Sequence, residues 1–357
     1  MFSRGAGSIQ VSLLQGVKRG VRGLLRKTTG YDLVRPQPID ARYGTASHDP
    51  TRALPAGAKD YLRSSNPRLT ELRAAYAAVD LPIAQRTHWG GDYLDRELDL
   101  TGFRGDNAYV FQFRNVRSDA RLKYYFYLRN VAWADERGLL KTLTEDGAFG
   151  CWTFEYPGWP MVSRDLLDSI HELYFLQRHL KFLDQKGWGV LDVGAGYGRL
   201  AYRTLTAVPA LEQYVCTDAV PESTFLCEYY LGYRQVRERA DIVPLHQLDR
   251  LGGRRYDLAL NIHTFSEMSY AAIDDWLGRV AQLQVPWLLV IPNDADRFLS
   301  TEAETDEQGL RKRRPFEDLF DKHGYALAVK EPMFADFTMR EFMCVTDHFF
   351  LFRRRGT

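Results

Sequence analysis

From residue 189 onward, short apolar runs alternate with stretches of helical spacing. Residues 189–193, 214–217, 242–245, 258–262 and 287–291 are runs of four or five positions dominated by apolar side chains. Between them, 197–208, 221–240 and 270–283 carry helical periodicity. Pro221 opens the second of these, and Phe225, Tyr229, Tyr233 and Val236 line one side of it. Continuous apolar runs alternating with helices predict parallel strands buried on both faces. The tail breaks the rhythm. A helix is expected over 315–323, then strands over 325–329 and 342–352 with no helix between them, which suits a parallel sheet closed by an antiparallel pair.

Upstream, the stretch 163–183 begins at Ser163 and spaces Leu166, Ile170, Leu173 and Leu176 along one helical face. Asn66 and Pro67 read as the cap and first position of a helix reaching residue 79. Residues 118–143 are helical and rich in aromatics, and 86–116 read as loops with a strand over 109–113. Pro36, Pro38, Pro50 and Pro55, with Gly44 and Gly57, mark 35–58 as a linker or extended arm. Three regions result: a basic segment and linker over 1–58, an accessory, mostly helical and aromatic-rich region over 59–162, and an α/β domain over 163–357.

Composition narrows the function classes. With 45% hydrophobic and 26% charged residues among 357, the chain can bury a full core, which excludes disordered and collagen-like proteins. Basic and acidic side chains number 47 and 46, a net charge of +1, which disfavours a nucleic-acid partner. Cys151, Cys216, Cys227 and Cys344 are widely spaced and form no CxxC pair, as expected of core thiols in the cytoplasm. Residues 1–31 hold Arg4, Lys18, Arg19, Arg22, Arg26 and Lys27 and no acid. Their apolar residues partly follow a helical stripe, so a weak membrane-surface contact through 9–27 competes with a frayed or self-docking helix. Lys18 and Arg19 interrupt any signal-peptide core.

The motif that carries the chemistry is VLDVGAGYGRL, residues 190–200. Asp192 ends a strand, and Gly194, Gly196 and Gly198 follow in the turn before a helix, where a ligand can approach the backbone closely. The dinucleotide fingerprint GxGxxG would put its third glycine at Arg199. An acid two residues before the first glycine suits a cationic ligand better than a pyrophosphate. S-adenosylmethionine (SAM) has an ammonium and a sulfonium and no phosphate. Asp218 lies 20 residues after Gly198 at the end of the next apolar run, where a carboxylate can accept both ribose hydroxyls. Asp218 as a helix cap near Pro221 is the competing reading.

These residues resemble the class I SAM-dependent methyltransferases over about 163–357. More narrowly, DVGAGYGRLAYR, CTDAVPESTFLCEYYLGYR and NIHTFSEM resemble a bacterial family of sugar O-methyltransferases. The resemblance implies a Rossmann-like seven-stranded sheet, SAM as methyl donor with S-adenosylhomocysteine as product, and a saccharide hydroxyl as acceptor. An oligo- or polysaccharide precursor, a mannoside among them, is the favoured acceptor. An antibiotic or small phenol, an RNA substrate and an RNA-binding protein are the alternatives, the last two because RNVRSDARLKYYFYLRN interleaves basic and aromatic residues. The expected cofactor site comprises Asp192, Gly194, Ala195, Gly196, Tyr197, Gly198, Asp218, Ala219, His246, Gln247 and Asn261.

Residues just past the fourth apolar run should reach the transferred methyl. His263 is the expected general base, because imidazole titrates near neutrality, and Glu267 either orients it, holds a sugar hydroxyl or replaces it. Trp89, Tyr93, Phe103, Tyr109, Phe111, Phe113, Tyr124, Tyr125 and Tyr127 are stacking candidates for a saccharide, and CWTFEYPGWP over 151–160 is a candidate lid. No His/Cys spacing supports zinc, so no resident metal is expected. Asp294 and Asp296 with Glu267 leave Mg²⁺ as a weak alternative. The sequence leaves self-association open.

Overall fold

Strand β1 (Gly189–Val193) is buried along its whole length and sits inside the sheet, because its run GVLDV offers side chains that pack on both faces. The computed structural model describes residues 46–47, 54–90, 93–94, 98–105, 109 and 120–356. The basic segment 1–31, Phe111 and Phe113 lie outside them, as does all but the first residue of the strand expected over 109–113. Residues Asp40–Thr357 group as one unit.

Before β1, α1 (Pro67–Ala77) starts as expected: the Asn66 side chain accepts the Arg68 N–H at 2.8 Å, and Pro67 takes the first position. The helical stretch expected over 118–143 is two helices. α2 (Ala120–Ala134) ends, Gly138 turns with φ 68°, and Leu139–Thr142 resumes, its N-terminal N–H groups accepted by the Asp135 carboxylate. α3 (Arg164–Leu180) is capped by Ser163, whose Oγ accepts the Leu166 N–H.

After β1 come α4 (Arg199–Ala207), β2 (Gln213–Thr217), α5 (Pro221–Tyr233), β3 (Ala240–Ile242), β4 (Leu258–Ile262), α6 (Tyr270–Gln282) and β5 (Trp287–Ile291). Two boundaries differ from the pattern. α5 stops at Tyr233 because Gln235 turns into the left-handed region at φ 57°. β3 begins at Ala240 and ends before Pro244, which cannot donate to a ladder. The tail holds α7 (Glu317–Lys322), β6 (Tyr325–Pro332), α8 (Phe337–Met343) and β7 (His348–Arg354). The expectation of no helix between the last two strands is therefore corrected. Asp336 accepts the Met339 N–H and starts α8, and the strand begins only at His348.

The seven strands run in the order β3–β2–β1–β4–β5–β7–β6, with β7 antiparallel to both β5 and β6 and the rest parallel. This is a Rossmann-like, mostly parallel sheet closed by an antiparallel pair, as the pattern predicts. No helix among the described residues is long and apolar enough to cross a membrane.

The accessory region is tied to this sheet by a buried square of charge. Arg104 donates to Asp165 and Glu145, and Arg203 donates to the same two carboxylates, at 2.8–3.1 Å for the four ion pairs; all four side chains are 0% exposed. Ser163 Oγ and Tyr197 OH complete the set by donating to Glu145 and Asp165 at 2.6 Å each. Removing one member of such a set leaves an unpaired charge out of water, at a cost of about 3–5 kcal/mol. Arg104→Met should therefore lose about 3–5 kcal/mol in urea denaturation, whereas the exposed Glu136→Gln should change stability by less than about 0.5 kcal/mol.

Candidate active site

The chain winds outward from β1 to β3, then returns to β4 on the other side of β1. The loops after β1 and β4 thus diverge and open a crevice at the carboxyl ends of the strands, the ligand position of open α/β sheets. Gly194 makes the two loops meet. Its φ is 81°, and a Cβ there would fall 2.1 Å from Thr264 Oγ1 on the opposite loop. Gly198, at φ 85°, starts α4, and a Cβ would press to 3.0 Å from Cys227 Sγ on α5.

Asp192, Gly194, Ala195, Gly196, Tyr197, Asp218, Ala219, His263 and Glu267 line this one cleft. Asp218 Oδ1 accepts the Val220 N–H at 2.8 Å and Oδ2 accepts the Gly196 N–H at 2.9 Å, fastening the end of β2 to the glycine turn. Burial raises its carboxyl to about 6 against those two N–H groups, helped by the nearby Glu267 charge. Among the described residues, Asp192 accepts only the Tyr214 hydroxyl, at 2.7 Å on Oδ2. Burial raises it to about 7, although that hydrogen bond and the nearby Arg199 charge act the other way. Arg199 is spoken for: its guanidinium donates to both Glu172 oxygens and to Ser169. Among the described residues neither aspartate has an ion-pair partner, and Arg86 stands at the exposed rim.

Four expected cofactor residues are not brought to the cleft wall; Gly198 is one, packed at the start of α4. Asn261 is 0% exposed, and both ends of its amide are used, Nδ2 donating to Val193 O and Oδ1 accepting the Phe265 N–H. It braces β4 against β1. His246 and Gln247 bond to each other, and His246 faces Tyr76 and a separate surface groove beside α1.

His263 holds an unusual backbone, φ 67° and ψ −32°, fixed by its N–H donating to Ile291 O at 2.7 Å. Such conformations cost about 1–3 kcal/mol and collect at functional sites. Its Nε2 lies 3.2 Å from Asp347 Oδ2. Burial disfavours the charged ring, but the hydrogen bond and charge of Asp347, with Glu267 adding, raise its pKa above the ordinary 6.5. Glu267 does not orient His263. Its Oε2 accepts Trp89 Nε1 at 2.7 Å and its Oε1 accepts Asn293 Nδ2 at 3.2 Å. Asp347 went unforeseen in the sequence, yet it had a signal: an antiparallel strand begins where parallel strands end, so the residue before β7 is delivered to the site's edge.

Of the aromatic candidates, Trp89 and Tyr109 stack at 5.4 Å and line the cleft. Phe103, Tyr124 and Tyr127 are core, which also buries much of the stretch considered for RNA, Lys123 included. The segment 151–160 is not a lid over this cleft. Its Thr153–Phe154 strand pairs with Ala46–Ser47, and Phe154 stacks on Tyr124 at 4.1 Å. The Mg²⁺ alternative finds no support, because Asp294 is taken by Arg313 and Asp296 by Lys330, and no metal-binding cluster exists among the described residues.

No family model matches the chain, and no curated protein matches it. Solved structures similar to it include the cyclase SpnF, at 14% identity over 54% of this chain and 83% of that one, with a TM-score of 0.39. The StiE O-MT domain matches at 14% over 54% and 76%, TM-score 0.37. The pyocyanin biosynthetic protein PhzM matches at 20% over 52% and 53%, TM-score 0.35, so the chain spans about half of PhzM. At such identities and scores these are likenesses only, and the functional reading stands on the site.

A carboxyl that is more basic folded than unfolded contributes its stability at low pH and loses it as pH rises through the folded value. For Asp192, raised to about 7, that loss builds from about pH 4 to about pH 7 and stays in full above it in the ligand-free protein. Asp192→Asn, which keeps an acceptor for Tyr214, should stabilise the ligand-free protein by up to about 4 kcal/mol at pH 8, about 1.4 kcal/mol for each unit of the raised pKa. At pH 4 it should gain nothing. Thermal melts at the two pH values check this.

Proposed function

We propose that this chain is a SAM-dependent O-methyltransferase acting on a hydroxyl of a saccharide. One observation carries the reading: a glycine-floored cleft at the topological switch point whose buried charges are the unpaired carboxylates Asp192 and Asp218. A pyrophosphate would meet two acids there, with the neighbouring Arg199 already neutralised by Glu172. A ligand with an ammonium, a sulfonium and a ribose meets what it needs. The residues fit that group: Gly194 and Gly196 allow close approach, Asp192 offers a partner for positive charge, and Asp218 offers acceptors for ribose hydroxyls.

The bound donor supplies an electrophilic methyl. The chain's own part is to align the acceptor and remove its proton. Alignment of reactants is worth up to about 7–11 kcal/mol of barrier. Trp89 and Tyr109 present ring faces on which the C–H face of a sugar can stack, and Glu267, held by Trp89 and Asn293, can accept from a second hydroxyl. His263 in its neutral form takes the proton of the reacting hydroxyl as the carbon–oxygen bond forms. The resemblance of NIHTFSEM to sugar O-methyltransferases supports a saccharide, a mannoside being the first to try.

Three outcomes test this. Calorimetry should show SAM and S-adenosylhomocysteine binding and no binding of NAD. Asp218→Ala should weaken SAM by roughly ten- to a hundredfold, from lost charge-assisted hydrogen bonds worth about 1.5–3 kcal/mol. Because a cation favours ionised Asp192, SAM affinity should also rise with pH up to about 7, with a proton released on binding. Tight NAD binding without SAM binding ends the proposal.

The catalytic role is tested by turnover with labelled SAM and a panel of oligosaccharides. His263→Ala should lower kcat by about 10²–10⁴-fold with little change in SAM affinity. Activity should rise with pH through a midpoint above 6.5, since the raised His263 pKa must be passed before the ring is neutral. If Glu267→Gln abolishes turnover while His263→Ala preserves it, Glu267 is the base.

A further inference from the structure

His263 lies among charges from several elements. Asp347 precedes β7, Glu267 follows on its own loop, and Arg164 and Glu172 come from α3, with His348 beside Asp347. Among the described residues only Asp347 bonds to the ring, and it does so at Nε2. Nδ1 has no hydrogen-bond partner among the described residues, and the ring lines the cleft. An ionised carboxylate accepts only, so Nε2 must carry the proton when the ring is neutral. The lone pair is then left on Nδ1. Asp347 is itself held ionised: burial opposes this, but the bond to His263 and the charges of His263 and Arg164 lower its pKa below the usual carboxylate range.

We propose that Asp347 is the positioning residue of this site, fixing the His263 tautomer so that Nδ1 is the nitrogen that takes the acceptor proton. The inference rests on the reading of His263 as the base. In the step it serves, the acceptor O–H bond breaks, the proton goes to Nδ1, the oxygen bonds the methyl carbon and the carbon–sulfur bond breaks. The imidazolium formed is stabilised by Asp347. This favours acceptors that are neutral O–H groups over ones already ionised in solution, which need no base.

The tautomer can be measured without turnover. Full-length protein labelled with ¹⁵N-histidine is titrated by NMR, with His263→Gln identifying the His263 signals. The neutral ring should show Nε2–H and a bare Nδ1, with a midpoint above 6.5. Asp347→Asn should lower that midpoint by about one pH unit or more, from loss of an opposite charge in contact. Asp347→Ala should give a mixture of tautomers. An Nδ1–H ring in the wild-type protein, or an unchanged midpoint in Asp347→Asn, overturns the proposal, and the wild-type result stands even if a variant fails to fold. SAM calorimetry on the same samples separates the two readings: absent SAM binding with the expected tautomer removes the cofactor reading alone.

Discussion

The structure depends on four charges placed where water cannot reach them. Arg104 and Glu145 belong to the segment before α3, Asp165 to α3 and Arg203 to α4. None can be left alone at such burial, so each fixes the others. The square also reaches the site, because Asp165 accepts the hydroxyl of Tyr197 in the glycine turn. The turn that floors the cleft is therefore positioned by a charge set shared between the accessory region and the sheet. A buried ion set of this kind adds little net stability over a well-packed apolar one. What it supplies here is a single arrangement of α3, α4 and the segment before them.

The cleft uses charge in the opposite way. Where the square satisfies every carboxylate, the cleft pairs Asp192 and Asp218 with no cation among the described residues and raises both toward neutrality. Such a site is costly without a ligand and selects for positive charge when one arrives. On the far side of the same crevice, the His263 backbone is held at φ 67° and its imidazole meets the Asp347 carboxylate.

Much of this was legible in the residues. The runs over 189–193, 258–262 and 287–291 become strands at those boundaries because parallel strands need apolar side chains on both faces. Asn66, Ser163 and Pro221 mark helix starts because capping is a local matter. Asp192, Gly194, Gly196, Asp218, His263 and Glu267 meet in one cleft for a similar reason: each sits at or just past a strand end fixed by its own neighbours. What was not legible depends on contacts far apart in sequence. Asp347 meets His263 across 84 residues, and Trp89 meets Glu267 across 178. Asn261 read as a ligand because it lies near the carboxyl end of β4, but its amide is used to brace β1, a role that only packing reveals. Phe103, Tyr124 and Tyr127 could not be told from stacking residues until the core was known.

The central claim is that the cleft is built for a positively charged donor. The most direct measurement compares S-adenosylhomocysteine with its analogue lacking the amino group, in the wild-type protein and in Asp192→Asn. Losing the ammonium should weaken binding at least about tenfold in the wild-type protein, as for a charge-assisted hydrogen bond of about 1.5 kcal/mol or more. In Asp192→Asn the difference should largely vanish. Equal affinity of the wild-type protein for the two compounds would contradict it.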